Sequence, residues 1–189
     1  TFLKNYPAFK GFFFGDEVKI GRVEKYNKVA AYLLELDPDL ILFNSQLGLY
    51  DTNAKNFSDS IVDKKKAYLN YIDKFSSATN RFVYDTYTLE YEYNGLFDSR
   101  TYNVSVEWYN NLSYVAEYVK DQLPTRQVKT GVTIQACQID KTKDYSTYRY
   151  APTKKADIGF QVYTALAYGM DEINYYKYED HAGDEYASN

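Results

Sequence analysis

Gly11-Phe12-Phe13-Phe14-Gly15-Asp16-Glu17 is the stretch of sequence that decides the fold. Phe12 to Phe14 form a short apolar run, as expected for a strand that is buried on both faces in a parallel sheet. The two carboxylates that follow can be accommodated only where such a strand reaches the mouth of the sheet. In β/α barrels and open α/β sheets, ligands bind at that mouth. The stretch therefore predicts a strand end with a ligand site, and the alternative is a solvated turn whose acid complements a helix dipole.

Strand and helix patterns alternate along the rest of the chain. The predicted strands are 12–14, 40–44, 81–85, 130–136 and 173–178, and the predicted helices cover about 23–36, 64–78, 104–120 and 153–168. A polar loop with a turn at Asn94-Gly95 follows the third strand. Such alternation predicts one α/β domain over residues 1–189, with about five parallel strands joined by right-handed crossovers. Since a closed eight-strand barrel needs roughly 200 residues or more, the chain forms either an open parallel sheet or part of a barrel.

Composition narrows the classes of partner. The chain of 189 residues has 45% hydrophobic residues and 25% charged residues, which is ordinary for a globular domain. A net charge of -4 argues against nucleic acid as a partner. Cys137 is the only cysteine and His181 the only histidine, so we expect no disulfide within the chain, no metal and no cofactor. We also expect no membrane span, because no apolar stretch approaches about 20 residues.

Several longer stretches carry a resemblance to a known family. They are Tyr6–Glu17, Leu36-Asp37-Pro38 with the strand that ends at Asn44, Arg81–Tyr87, Ile134-Gln135-Ala136 and Gln161–Gly169. In order and spacing they resemble strands four to eight of the barrel in β-galactosidase-like glycoside hydrolases and their bacterial relatives. The resemblance implies a (β/α)8 TIM-barrel type of fold, truncated here to about five βα units.

The resemblance also implies an activity, the hydrolysis of glycosidic bonds by paired carboxylates at the carboxyl-terminal rim. Glu17 matches the family's proton donor on strand four. The retaining members of the family carry a nucleophilic Glu at the end of strand seven, whereas this chain has Thr133–Gln138 there, without a carboxylate. Asp85 is the best substitute and Asp180 a weaker one. A pair of carboxylates further apart than in retaining enzymes would favour water activation and inversion, and the alternative is a barrel that binds carbohydrate or has a structural role without catalysis.

Five further residues are predicted to contact the carbohydrate or to support the acid. Asp16 would orient Glu17, and Asn44 would bind either a sugar hydroxyl or a loop amide. Gln135 would position a sugar or a water molecule, because an amide cannot serve as an anionic nucleophile. Tyr87 and Tyr178 follow strand ends and are predicted to lie in the pocket.

An open part of a barrel would expose strand edges and its inner apolar face. We therefore expect either a missing N-terminal barrel portion or a second copy of the chain to cover them. A secreted or cell-surface bacterial protein is the localisation that the resemblance suggests.

Overall fold

Five parallel strands form the main sheet of the computed structural model, which describes residues 6–49, 61–86, 89–92, 103–104, 106–123, 125–136, 148–150 and 155–176. In spatial order they are β1 (Gly11–Asp16), β2 (Ile41–Leu47), β3 (Arg81–Asp85), β6 (Lys129–Gln135) and β8 (Glu172–Tyr176). The sheet is curled into a half-barrel. Each strand is added beside the one before it, so the sheet lacks the reversal of strand order that makes a switch point in doubly wound sheets. The predicted α/β class and parallel sheet are confirmed.

Four helices connect the strands. They are α1 (Val23–Leu36), α2 (Ile61–Ser76), α3 (Val106–Gln122) and α4 (Lys155–Ala167), and a 3₁₀ turn at Ile20–Arg22 precedes α1. α1 has the predicted bounds because Val23, Tyr26 and Ala30 recur at helical spacing and are buried. None of the described helices is long and apolar enough to cross a membrane.

α4 ends as its sequence predicts. Gly169 has φ of +82°, a left-handed conformation that glycine adopts without steric cost. Its N–H donates to Leu166 O at 2.9 Å, and the N–H of Met170 donates to Ala165 O at 3.1 Å. These bonds satisfy the last carbonyls of the helix and turn the chain towards β8.

An aromatic core lies between the convex face of the main sheet and the helices. Tyr71 and Phe75 each pack edge-to-face against Phe82, with ring centroids 6.1 Å apart. Trp108 of α3 is fully buried in the same core. Among the described residues, four of the chain's 23 tyrosines are buried in this core, namely Tyr26, Tyr68, Tyr71 and Tyr84.

A second, smaller sheet was not predicted. It contains β4 (Leu89–Glu92), β5 (Asn103–Val104) and β7 (Tyr148–Tyr150), all antiparallel, in the order β5-β4-β7. These strands belong to the segments that follow the carboxyl ends of β3 and β6. Neither segment was predicted to contain a strand, because two to four residues are too few for a clear alternating pattern. The predicted turn at Asn94-Gly95 lies outside the described residues.

Candidate functional site

Three carboxylates meet at a cavity of about 620 Å³ on the concave side of the main sheet. Asp16 and Glu17 come from the end of β1, and Asp85 is the last residue of β3. Parallel strands bring their carboxyl ends to the same rim, so residues far apart in sequence share one site. The structure therefore brings together the predicted acid, the predicted base and the predicted supporting carboxylate.

Aromatic rings line the same cavity. Phe43 belongs to β2, while Phe13 and Tyr175 are 65% and 55% exposed on the two edge strands, β1 and β8. Tyr176, at the end of β8, completes this group. Rings on one part of a cavity and carboxylates on another are suited to a ligand that has both apolar faces and hydroxyl groups.

Polar side chains without charge form another part of the lining, namely Ser45, Thr133 and Asn174. Ser45 Oγ and Thr133 Oγ1 lie 3.1 Å apart although β3 runs between their strands, because both side chains project into the curl of the half-barrel. This bond satisfies two hydroxyls that are almost fully buried. These three residues were not predicted as part of the site, because the sequence does not show which face of a strand a short polar side chain occupies.

A partly buried ion pair lies beside Phe43 of the lining. Arg81 Nη2 lies 3.1 Å from Glu172 Oε1, and the Arg81 guanidinium carbon lies 5.6 Å from the centre of the Phe43 ring. Burial raises the pKa of Glu172, while the positive charge of Arg81 opposes that shift. The described residues that line the cavity include three acids and no lysine or arginine, so the site favours ligands without negative charge.

Glu17 has an unusual backbone conformation. Its φ is +45°, in the left-handed region that residues with a Cβ atom seldom adopt. The strand register shifts between Phe13 and Asp16, and the N–H of Glu17 donates to Ser45 O at 2.8 Å. The end of β1 is therefore bent, and strained positions of this kind cluster at functional sites.

Gly15 is required at this bend. Its φ is +145°, and a Cβ atom there would lie 2.8 Å from Cε2 of Tyr26. A side chain would clash with the ring as well as strain the backbone. The bend thus depends on Gly15, whose backbone conformation was not predicted from the stretch Gly11–Glu17.

Two predicted site residues do not line the cavity. Asn44 is fully buried on the opposite face of β2 from Phe43 and Ser45, and its Oδ1 accepts a hydrogen bond from the N–H of Val83 at 3.1 Å. The alternation of side chains along a strand explains this placement. The expectation that Asn44 contacts a sugar at the mouth does not fit its position.

Gln135 is the second of these residues. It is fully buried, and its backbone N–H and C=O each bond to the side-chain amide of Gln161 at 3.0 Å. The end of β6 is therefore fixed from α4, and the described part of this strand end carries no carboxylate. Tyr87 and Tyr178, the remaining predicted contacts, lie outside the described residues, as does Asp180.

The site offers no ready metal centre among the described residues, where no group of three or more His, Cys, Asp or Glu side chains could hold an ion. No family model, curated protein or solved structure matches this chain. The chemistry of the cavity itself is thus the basis on which its function can be inferred.

Proposed function

We propose that the protein is a glycoside hydrolase in which Glu17 is the general acid and Asp85 the general base. The observation that carries this proposal is the meeting of both carboxylates at one cavity at the carboxyl ends of parallel strands. Hydrolysis of a glycosidic bond needs one carboxylic acid to protonate the leaving oxygen and one carboxylate to attack or to activate water. A pair of acids supplies both roles without a cofactor.

The separation of the two acids by one intervening strand, and the lack of a carboxylate at the described end of β6, are compatible with an inverting mechanism. β2 lies between β1 and β3, so the backbones at Glu17 and Asp85 are separated by two strand spacings, about 10 Å. Inverting enzymes hold their carboxyl groups roughly 6.5 to 9.5 Å apart, which leaves room for a water molecule, whereas retaining enzymes hold them at about 5 to 5.5 Å. In this mechanism Asp85 activates the water and Glu17 protonates the departing oxygen.

The lining of the cavity supports carbohydrate as the substrate. Phe13, Phe43 and Tyr176 offer apolar surface on which a sugar ring can stack, and Asn174 offers hydrogen bonds to hydroxyl groups. Negatively charged sugars fit poorly beside three carboxylates. A neutral glycoside suits this combination best.

We further propose that the half-barrel is part of a (β/α)8 barrel. The sequential strand order and the curl are those of consecutive barrel strands, and the aromatic residues Phe13 and Tyr175 are exposed on the two edge strands. Three additional βα units, provided by an N-terminal barrel portion, would pair with both edges. A second copy of the chain is the alternative cover.

The test uses a panel of neutral aryl and oligosaccharide glycosides with the wild-type protein and the variants Glu17→Gln and Asp85→Asn. Loss of a positioned acid or base should lower kcat about 10²- to 10⁴-fold and leave KM within a few-fold of the wild-type value. Glu35→Gln, an exposed change on α1, is the matched control and should retain full activity. NMR of the first product should show inversion at the anomeric carbon. Unchanged kcat in Glu17→Gln would contradict the assignment of the acid.

One observation favours a second candidate, a carbohydrate-binding protein without turnover. The described end of β6 carries no carboxylate, whereas the resembled enzymes carry a nucleophilic Glu at the end of this strand. Calorimetric titration with the same sugars separates the candidates, because a binding protein would bind them in wild-type and Glu17→Gln forms alike and release no product from either. Measurable hydrolysis by the wild type that is lost in Glu17→Gln would exclude this candidate.

A further inference from the structure

A buried glutamine and a buried tyrosine hold the bend that carries Glu17. Gln46, on the helix-facing side of β2, is fully buried, and its Oε1 accepts a hydrogen bond from the N–H of Val18 at 2.7 Å. Its Nε2 donates to Gly15 O at 3.4 Å. One amide thus bonds to the residue after Glu17 and to the residue two positions before it.

Tyr71 completes this arrangement from α2. Its hydroxyl lies 2.5 Å from Gln46 Oε1 and 2.7 Å from Val18 O, and the residue is only 2% exposed. Burial raises the pKa of this phenol, and nearby charge on Tyr26 and Glu17 adds to the shift. The hydroxyl therefore remains protonated at neutral pH and can act as a donor to the bend.

These contacts matter because the bend is strained. A residue with a Cβ atom at φ near +45° keeps that conformation only where the surroundings determine it, since it costs of order 1–3 kcal/mol. The N–H of Glu17 donates to Ser45 O, while Gln46 and Tyr71 bond to Gly15 O and to the N–H and O of Val18. Neither residue lines the cavity, so neither can touch a substrate there.

We infer that Gln46 and Tyr71 are positioning residues that fix the carboxyl group of Glu17 for proton transfer. The inference rests on the proposed function, because a positioned acid matters only if Glu17 protonates a leaving group. A displacement of about 1 Å at a reacting group is enough to lower a rate about 10²-fold. The effect should therefore appear in catalysis even when the fold is intact.

The experiment compares Tyr71→Phe and Gln46→Met with the wild type. Tyr71→Phe removes one hydroxyl and little else, so it remains informative if Gln46→Met fails to fold. The matched control is Tyr68→Phe, since Tyr68 is fully buried on the same helix and its hydroxyl donates to Leu47 O at 3.0 Å, outside the bend. Two quantities are measured: hydrogen exchange at the N–H of Val18, and kcat for aryl glycosides with poor and good leaving groups.

We expect Val18 exchange to become about tenfold faster in Tyr71→Phe and to stay unchanged in Tyr68→Phe, relative to the global stability of each variant. For a phenyl glycoside, whose departure needs a proton, kcat should fall about 10- to 100-fold in Tyr71→Phe. For a 2,4-dinitrophenyl glycoside, which departs without one, kcat should change less than about twofold. A purely structural role would lower both rates equally.

Each of the remaining outcomes of this experiment would contradict one specific claim. Unchanged Val18 exchange in Tyr71→Phe would reject the hold on the bend, whatever the activity. Faster exchange with equal kcat losses on both glycosides, or with no loss on either, would reject the positioning role and leave the proposed function standing. If the wild-type protein hydrolyses no glycoside while Val18 exchange responds as expected, the proposed function is wrong. Gln46 and Tyr71 would then hold the bend without any role in catalysis.

Discussion

Replacing Glu17 with glycine should stabilise the protein while removing its proposed acid. Glu17 has φ of +45°, which costs a residue with a Cβ atom roughly 1–2 kcal/mol and costs glycine almost nothing. Its side chain is exposed, so truncation gives up little buried surface. Glycine adds freedom to the unfolded chain, which offsets about 0.5–1 kcal/mol of the gain. The free energy of unfolding should therefore rise by about 0.5–1 kcal/mol.

Urea denaturation followed by circular dichroism measures this difference, with Asn80→Gly as the control. Asn80 also has a positive φ, +48°, but asparagine tolerates the left-handed region better than glutamate does. Its replacement should thus gain less than that of Glu17. The two sites share a backbone conformation and differ in the proposed function, so only Glu17→Gly should also abolish hydrolysis.

A lower stability of Glu17→Gly would refute the reasoning. It would mean that the carboxylate makes interactions worth more than the backbone strain, and that the bend is a product of the side chain and not of the contacts from Gln46 and Tyr71. Equal gains at Glu17 and Asn80 would show that residue type does not affect the cost of this conformation.

Substitutions at four further residues test the packing around the site by denaturation. Arg81→Met should cost about 1–2 kcal/mol because it leaves the partly buried Glu172 without its cation, while Arg81→Met with Glu172→Met should cost less than the single change. In Arg81→Met the pKa of Glu172 should rise further, so the folded state should bind the Glu172 proton more strongly than the unfolded state does. The free energy of unfolding should then fall as the pH rises from the usual pKa of 4.5 towards the folded-state pKa, and it should fall more steeply than in the wild type. Tyr84→Phe should leave stability unchanged or raise it by about 1 kcal/mol, because the fully buried hydroxyl has no hydrogen-bond partner among the described residues. Gly131→Ala should cost about 1–3 kcal/mol, since the added Cβ atom would lie 2.9 Å from the backbone oxygen of Glu172.

The elements that sequence patterns predicted best are those whose signal is local. β3 has the predicted bounds, Arg81–Asp85, because a short apolar run ends in a charge. β2 was predicted to end at Asn44, yet it continues to Leu47. Its polar continuation is stable because Ser45 bonds to Thr133, 88 residues away in sequence, and such a partner leaves no local trace.

In the candidate site, too, the residues that could be predicted are those with a local sequence signal. Glu17 and Asp85 could be predicted because each follows a short apolar run, and a carboxylate after such a run is expected at the mouth of the sheet. The expectation that both strands are buried is met by β3 only, since β1 is an edge strand with Phe12 and Phe13 exposed. The inward or outward direction of Asn44 depends on the strand's register, and a shift of one residue reverses it. Gln46 was not predicted, since its role comes from a bend that belongs to another strand.

Tyrosine shows why composition alone could not locate the site. The sequence contains 23 tyrosines, which suggested rings that contact sugars. The structure separates two uses: Tyr68 and Tyr71 bury their rings and donate their hydroxyls to carbonyls at strand ends, whereas Tyr175 and Tyr176 line the cavity. The buried phenols act on the site only through the backbone that they hold.

The end of β1 is where this chain departs most clearly from the rules that the rest of it follows. A glutamate occupies a left-handed position at Glu17, the strand register shifts, and the polar side chain of Gln46 is fully buried beneath the bend. Each departure costs free energy that a regular strand end would avoid. Folding alone does not require them, since the end of β3 presents Asp85 to the same cavity without a positive φ. Such costs are expected to persist where they serve a function, and here their common effect is to fix the direction of one carboxyl group.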